Sequence, residues 1–348
     1  MRILNDHQQS LLRAERVALN NLRAALTRFG ASEHDDATLA DSIAQLDDLF
    51  LLVVVGEFNA GKSALINALL GQKLLPEGVT PTTTQINLLR YGEREERKVI
   101  DEQQHIVTLP ARLLAEISIV DTPGTNAIIR SHEAITTRFV PRSDLVLFVT
   151  SADRPFTESE RAFLERLRDW GKKVVIVINK ADILQDEREV AEVQSFVADH
   201  ARLLLGMTPE IFSVSARLGL RAKLGEPHLW QASRLENLER YIQTTLDETE
   251  RLRLKFQNPL GVGSFLVKNY LQTIAAQLDL LKTDLAMLND VDAQLGVYRA
   301  DMRRDFAFRM ADIDNVLYEM VERGNAFFDE TLRLGRILDL LNKERVQL

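Results

Sequence analysis

Residues 50–71 read FLLVVVGEFNAGKSALINALLG. The apolar run at the front has the length of a buried strand, the back half is helical in pattern, and GEFNAGKS (56–63) lies between them. A strand delivered into a helix through that spacing is a phosphate-binding loop. Gly56 and Gly61 let the chain wrap phosphates with its own N–H groups, and the helix directs its positive end at them. The loop residues expected at the nucleotide are Gly56, Glu57, Phe58, Asn59, Ala60, Gly61, Lys62, Ser63 and Ala64. Lys62 is expected to reach the β and γ phosphates, and the Ser63 hydroxyl to ligate Mg2+. Many ATPases, GTPases and kinases share such a loop, so the base is decided elsewhere.

It is decided at VVIVINKAD (174–182), where Asn179, Lys180 and Asp182 leave an apolar strand. A carboxylate at the last of these positions accepts hydrogen bonds from guanine N1 and the exocyclic amine, a pairing adenine cannot offer. Leaving a buried carboxylate unpaired is costly, so the contact discriminates strongly between bases. ISIVDTPG (117–124) supplies Asp121, expected to hold Mg2+ through water, and Gly124, whose amide is expected to sense the γ phosphate. PTTT (81–84) offers a Mg2+-binding switch threonine, and Ser215, Ala216 and Arg217 follow the last strand, where a guanine O6 contact is expected. Each short string is common by itself. In this order they predict a site for GTP and GDP.

Outward from these motifs, the apolar runs LLVVV (51–55), ISIV (117–120), LVLFV (145–149), VVIVI (174–178) and IFSV (211–214) alternate with helical patterns. That alternation predicts an α/β fold, a P-loop GTPase domain with a mostly parallel sheet covered by helices on both faces. Residues 4–29 are helical by pattern, with Leu12, Leu19, Leu22, Leu26 and Phe29 in step and Gly30 as a stop. ASEHDD (31–36) reads as an acidic linker to a second helical stretch carrying Leu39, Ile43, Leu46 and Phe50. From Ser233 onward the pattern is helical, broken at NPLGVG (258–263) by proline and glycine. Val267, Leu271, Ile274, Leu278, Leu281, Leu285 and Leu288 then form a heptad seam, continued less regularly through Leu295, Met302, Phe306, Ile313, Leu317 and Met320. If unbroken, such a helix runs on the order of 90 Å. The expected division is N-terminal helices at 1–49, a GTPase domain at 50–235 and C-terminal helices at 236–348.

Of the 348 residues, 45% are hydrophobic, enough to supply real cores. The 43 Lys plus Arg against 51 Asp plus Glu give a formal charge of −8, so the molecule as a whole does not attract a polyanion such as RNA. Cysteine is absent, which excludes disulfides and thiolate metal sites and fits a reducing, cytoplasmic compartment. No apolar run approaches the roughly 20 residues of a membrane span.

The stretches GEFNAGKSALINALLG (56–71), LLPEGVTPTTTQINLLRYG (74–92), IVDTPGTNAIIRSHEAITTRFVPRSDLVLFV (119–149) and INKADIL (178–184) together resemble bacterial dynamin-like proteins, relatives of mitofusins and the chloroplast fuzzy-onions-like proteins. The resemblance covers residues 50–220 by motif and the flanking helices by architecture. It implies a GTPase head on a helical-bundle neck built from N- and C-terminal segments, with head-to-head dimers that stimulate hydrolysis. It also implies membrane binding and remodelling by fusion, fission or repair, from the cytoplasmic side, at the inner face of a membrane. It places Thr83 as the switch threonine and Mg2+ ligand, with Thr82 second, and gives His132 and Glu133 a part in shaping the second switch. Nucleic acid is not an expected partner; the competing resemblance is to Era or tRNA-modification GTPases, which share loops with an asparagine like Asn59.

The departures carry information as well. Eukaryotic dynamins have glutamine where this chain has Phe58, and Ras-like proteins have glutamine where it has Thr125, so no water-positioning side chain is visible in cis. Asn59 stands where potassium-activated GTPases coordinate K+, a charge that would compensate the transition state; capping of the loop is the other reading of Asn59. The expected catalytic set is therefore Lys62, Ser63, Thr83 and Asn59, with slow turnover accelerated by dimerisation or K+. The last residues, LNKERVQL, lie in a continuing amphipathic pattern without a hydrophobic tip. Truncation is the expectation, with the lipid-contacting regions outside this chain.

Overall fold

The structure, a computed structural model, describes residues 5–77, 86–100, 104–122, 139–245 and 248–331. It divides into two compact units, Met1–Tyr270 and Leu271–Leu348. The first is organised around one sheet of eight strands: β1 (Phe50–Gly56), β2 (Ile86–Tyr91), β3 (Glu96–Val99), β4 (Gln104–Leu109), β5 (Ile117–Asp121), β6 (Leu145–Ser151), β7 (Val174–Asn179) and β8 (Glu210–Ser213). Their spatial order is β3-β4-β2-β5-β1-β6-β7-β8. The pairs β2 with β5 and β3 with β4 are antiparallel and the rest parallel, so the sheet is mixed and mostly parallel, as the alternating pattern predicts.

Every residue of β1 is buried, because both faces of the sheet are covered. Leu52 and Val54 share one core with Leu65 and Ile66 of helix α3 (Lys62–Leu70). Val53 and Val55 share the opposite core with Phe163, Leu164 and Leu167 of α4 (Glu158–Asp169). Apolar side chains at successive positions thus point in opposite directions and both are removed from water. That is why the strand reads as a continuous apolar run.

Three strands escape the apolar-run reading. β3 is ERKV, exposed throughout, an edge strand whose charges discourage pairing with another chain. β2 and β4 mix polar residues into short alternating patterns, INLLRY and QHIVTL, that carry little signal next to the buried runs. Two helical expectations also shift. The acidic stretch ASEHDD is not a linker, since Ser32 caps α2 (Glu33–Ala44) by accepting the Asp35 N–H. Phe50, expected on a helix, begins β1.

The largest correction concerns NPLGVG. Proline and glycine there predict a break, yet the helix Glu248–Thr331 runs through them with Pro259 inside it. A helical proline forfeits one backbone hydrogen bond and costs about 3 kcal/mol. Close packing offsets this: a Cβ on Gly261 would stand 3.1 Å from the Trp170 carbonyl oxygen, and one on Gly263 would stand 3.1 Å from Leu22 Cδ2 of helix α1 (Asp6–Phe29). The glycines serve close approach rather than a turn. Around them Leu19, Leu39, Ile43, Val262 and Leu266 form an apolar cluster that joins the N-terminal helices to the long helix, and the Trp170 and Phe265 rings lie 4.1 Å apart between centroids.

Beside this cluster lies a buried polar network. Asp144 is fully buried; one carboxylate oxygen accepts the Leu51 N–H at 2.8 Å, and the other accepts from Asn258 Nδ2 at 3.2 Å. Lys255 Nζ is 3.5 Å from the same carboxylate. Lys172, pushed down to about 7 by burial, donates to the Pro141 carbonyl at 2.7 Å and to Asn258 Oδ1. In the second unit the helical seam residues Leu278, Leu281, Leu285 and Leu288 are exposed.

On α1 the buried Glu15 has Oε1 without a hydrogen-bond partner among the described residues, and burial raises its carboxyl to about 7, against the opposing pull of Arg16. The folded state therefore binds the proton more tightly than the unfolded chain, and stability falls as pH rises through the interval from about 4.5 to about 7. Glu15→Gln is expected to leave stability little changed at pH 4 and to raise it by about 3 kcal/mol at pH 8. Urea unfolding at the two pH values measures the difference, and an equal effect at both would contradict it.

Candidate functional site

The phosphate loop leaves β1 at Gly56, whose φ is 147°; a Cβ there would lie 2.0 Å from the Val149 carbonyl oxygen of β6. Only glycine fits. At the other end Gly61 has a φ of 86°, and a Cβ there would lie 2.2 Å from Asn179 Nδ2. Between them Asn59 takes a left-handed conformation with φ 64°. Helix α3 then begins at Lys62 with Gly61 as its N-cap and no capping side chain among the described residues, an arrangement that suits an anion at the positive end of its dipole.

Lys62 is buried, and burial pushes its ammonium down to about 8 against the attraction of Asp121, Glu160 and Glu57. Its Nζ donates to the carbonyl oxygens of Gly56 at 3.1 Å and Glu57 at 3.0 Å. Ser63 Oγ donates to Asp121 Oδ2 at 3.1 Å. Asp121, at the end of β5, is fully buried, and that burial raises it to about 6 against the pull of Lys62 and Ser63. Its Oδ1 has no hydrogen-bond partner among the described residues. A hydroxyl and a carboxylate with a spare oxygen beside a phosphate loop fit Mg2+, which takes few protein oxygens and keeps water and phosphate as its other ligands.

At the far end of β7, Asn179 Nδ2 donates to the Ala60 carbonyl at 2.9 Å and the Gly61 carbonyl at 3.3 Å, while Oδ1 accepts the Ala216 N–H at 3.0 Å. Lys180 has φ 62°, and its Nζ is 3.9 Å from Asp153. The Asp182 carboxylate is 2.5 Å from Arg217 Nη2. Ser215 caps the helix α6 (Ala216–Leu224) by accepting the Leu218 N–H; the intervening helix α5 spans Glu187–Leu205.

The structure thus brings together residues 56–64, Asp121, Asn179, Lys180, Asp182 and Ser215–Arg217, drawn from the ends of β1, β5, β7 and β8. Thr82, Thr83, Gly124, Thr125, His132 and Glu133 lie outside the described residues. Sequence reasoning missed the segment after β6. A cavity of about 290 Å³ beside the phosphate loop is lined by Phe58 and Asn59 together with Asp153, Arg154 and Glu160. Burial raises Glu160 to about 7, against hydrogen bonds from the Thr150 hydroxyl and the Thr157 N–H. The available signal was TESE (157–160), a capping box that places a glutamate three residues after a threonine.

A family model described as 50S ribosome-binding GTPase matches residues 51–180. The chain is 35% identical over 363 residues to the probable transmembrane GTPase FZO-like, chloroplastic, of Arabidopsis thaliana, an alignment covering 96% of this chain and 39% of that protein. It is 28% identical over 205 residues to the bacterial dynamin-like protein of Nostoc punctiforme, covering 46% of this chain and 29% of that one. A solved structure of an oligomerised bacterial dynamin pair superposes with a TM-score of 0.51 at 19% identity, over 91% of this chain and 55% of that one. The chain belongs to the dynamin superfamily of GTPases. It spans about two fifths of the length of the FZO-like relative.

GTPases of this family generally use Mg2+, in keeping with the Ser63 and Asp121 pair. At the base end the chemistry of Asp182 suits guanine. Asp182 can accept from the guanine N1–H and amino group once Arg217 shares or yields its carboxylate, and a neutral amide at 182 loses the charged acceptor. Asp182→Asn is expected to weaken GDP binding by roughly 100-fold, the worth of a charge-assisted hydrogen bond. Titration with fluorescent GDP and XDP checks it: the variant should now favour xanthine, whose C2 oxygen accepts from the new amide.

Proposed function

We propose that this chain is the head and neck of a dynamin-type GTPase: it hydrolyses GTP, its heads pair, and pairing changes the arrangement of head and neck for membrane remodelling. The observation that carries this reading is the joining of a guanine-nucleotide site to helices on both flanks. Asn258 of the long helix shares hydrogen bonds with Asp144 and Lys172, at the starts of β6 and β7, while Leu19 and Leu39 meet Val262 and Leu266. In this reading residues 1–49 and 236–348 form the neck and trunk, and 50–235 the head.

Hydrolysis needs an in-line water at the γ phosphorus and compensation of the charge spread over the phosphate oxygens. Lys62 would turn from the Gly56 and Glu57 carbonyls to the β and γ phosphate oxygens. The amides of residues 60–63 would hold the same phosphates. Ser63, Thr83 and, through water, Asp121 would hold Mg2+, which would supply further positive charge to the phosphates. Gly124 would sense the γ phosphate. With Phe58 in the loop, we assign to Asn59, whose backbone is left-handed, a K+ ion that completes the compensation.

The working position is assigned to the cytoplasmic face of a membrane. No helix among the described residues is long and apolar enough to cross one. The names of the relatives support membrane action: the Arabidopsis protein is called a transmembrane GTPase, and the solved dynamin pair is described as sensing and tethering membranes. A second reading, action on RNA or the ribosome, draws on the name of the matched family model; the formal charge of −8 speaks against it.

Turnover per protomer is expected to rise with protein concentration, and to be about tenfold faster in K+ than in Na+, a difference that Asn59→Ala abolishes. Hydrolysis assays in the two salts, with light scattering in GDP, a GTP analogue and a transition-state mimic, test this. A monomer in all three states, or equal rates in both salts, would contradict the respective part. RNA retention without vesicle pelleting by the protein would favour the second reading.

A further inference from the structure

The phosphate loop is held at its two ends by the sheet, through Gly56 against Val149 and Gly61 against Asn179. Its outer arm, residues 57–59, is held differently. The Glu57 carbonyl accepts from the Ala60 N–H at 3.2 Å and from Lys62 Nζ at 3.0 Å. The Glu57 side chain leaves the loop altogether: Oε1 accepts from Thr157 Oγ1 at 3.0 Å and from Ser159 Oγ at 2.7 Å. Those hydroxyls sit 100 and 102 residues further along the chain, at the start of α4. They are in turn rooted in the sheet, because Glu160 accepts from the Thr157 N–H and from Thr150 Oγ1 of β6.

This tether matters most when nucleotide is bound. Lys62 cannot serve the Glu57 carbonyl and the phosphate oxygens at full strength together, so on turning to phosphate it withdraws a hold on the outer arm. The carboxylate anchor, together with the Ala60 N–H on the Glu57 carbonyl, then keeps residues 57–59 in place. Those residues carry Asn59, Phe58 and one wall of the cavity beside the loop. We propose that Glu57, held by Ser159 and Thr157, is a positioning residue for GTP hydrolysis: its carboxylate fixes the outer arm of the phosphate loop in the nucleotide-bound state rather than contacting the nucleotide.

The consequence is a split between binding and chemistry. Phosphate affinity is set by Gly61, Lys62 and the N-terminus of α3, whereas the rate of the chemical step depends on where the outer arm stands, and a displacement of an ångström is enough to slow it greatly. Glu57→Ala and Ser159→Ala are each expected to lower the single-turnover rate about tenfold while GDP affinity stays within about threefold. Ser159→Ala leaves the Thr157 cap of α4 intact, so it separates the anchor from helix stability. The double variant is expected to lose little more than the worse single one, since Glu57→Ala already removes the acceptor that Ser159 serves. Glu57→Gln, whose amide oxygen still accepts from both hydroxyls, is expected to restore most of the rate.

Unchanged rates in Glu57→Ala and Ser159→Ala would overturn the proposal. So would losses that multiply in the double variant, or rate losses matched by equal losses of GDP affinity and melting temperature. The inference rests on the GTPase reading, and GDP titration of the unsubstituted chain separates the two: absent binding would sink that reading, while normal binding with insensitive rates would sink the anchor alone.

Discussion

The site depends on one buried amide. Asn179, at the last position of β7, donates to two carbonyls of the phosphate loop and accepts from the first N–H of α6. Three loops that are distant in sequence therefore share one side chain, and its place is fixed by the parallel register of β6, β7 and β8. A buried polar group left unmatched costs about 1–3 kcal/mol, so each loop is held to the position that keeps the amide satisfied. Gly61 follows from the same constraint, because the space a Cβ would need is taken by Asn179 Nδ2. The guanine motif and the phosphate loop are thus one object.

Within that object, three side chains that would meet nucleotide or its metal ion have partners from the protein. Lys62 rests on two carbonyls, Ser63 on Asp121, and Asp182 on Arg217. Burial makes this arrangement necessary, since charged groups without partners would be severely destabilising. It also makes nucleotide binding an exchange. In the proposed site phosphate would take the place of carbonyl oxygens at Lys62, and guanine would compete with a guanidinium at Asp182, so affinity would reflect the difference between two sets of bonds.

The legible parts of the molecule were those where one physical requirement leaves one residue type. β1, β5, β6 and β7 are covered on both faces and so read as apolar runs, and Gly56 and Gly61 stand where a Cβ would not fit; the roles of Lys62 toward phosphate and Asp182 toward guanine belong to the proposed function. What stayed hidden depends on partners far along the chain. β3 is an exposed edge with no apolar signature, and β2 and β4 are recognised as strands by their pairing with each other, β2 also with β5 and β4 also with β3. The link from Glu57 to Thr157 and Ser159 spans about a hundred residues and uses side chains common on any surface. No local rule pairs them.

NPLGVG shows how the same letters can serve an opposite end. Read locally, proline and two glycines end a helix; packed against the sheet, the glycines are the only residues small enough for the helix to pass Trp170 and α1, and Asn258 supplies both a donor to Asp144 and an acceptor to Lys172. The stretch of helix that looks weakest is therefore the one most firmly attached to the starts of β6 and β7. Because Asp144 and Lys172 are fully buried, the contact cannot be loosened by degrees: a small withdrawal of Asn258 would leave both with unmet hydrogen bonds in a dry interior. Any rearrangement of this helix against the sheet must therefore keep the network intact and move the starts of β6 and β7 with it, or break it as a unit and admit water.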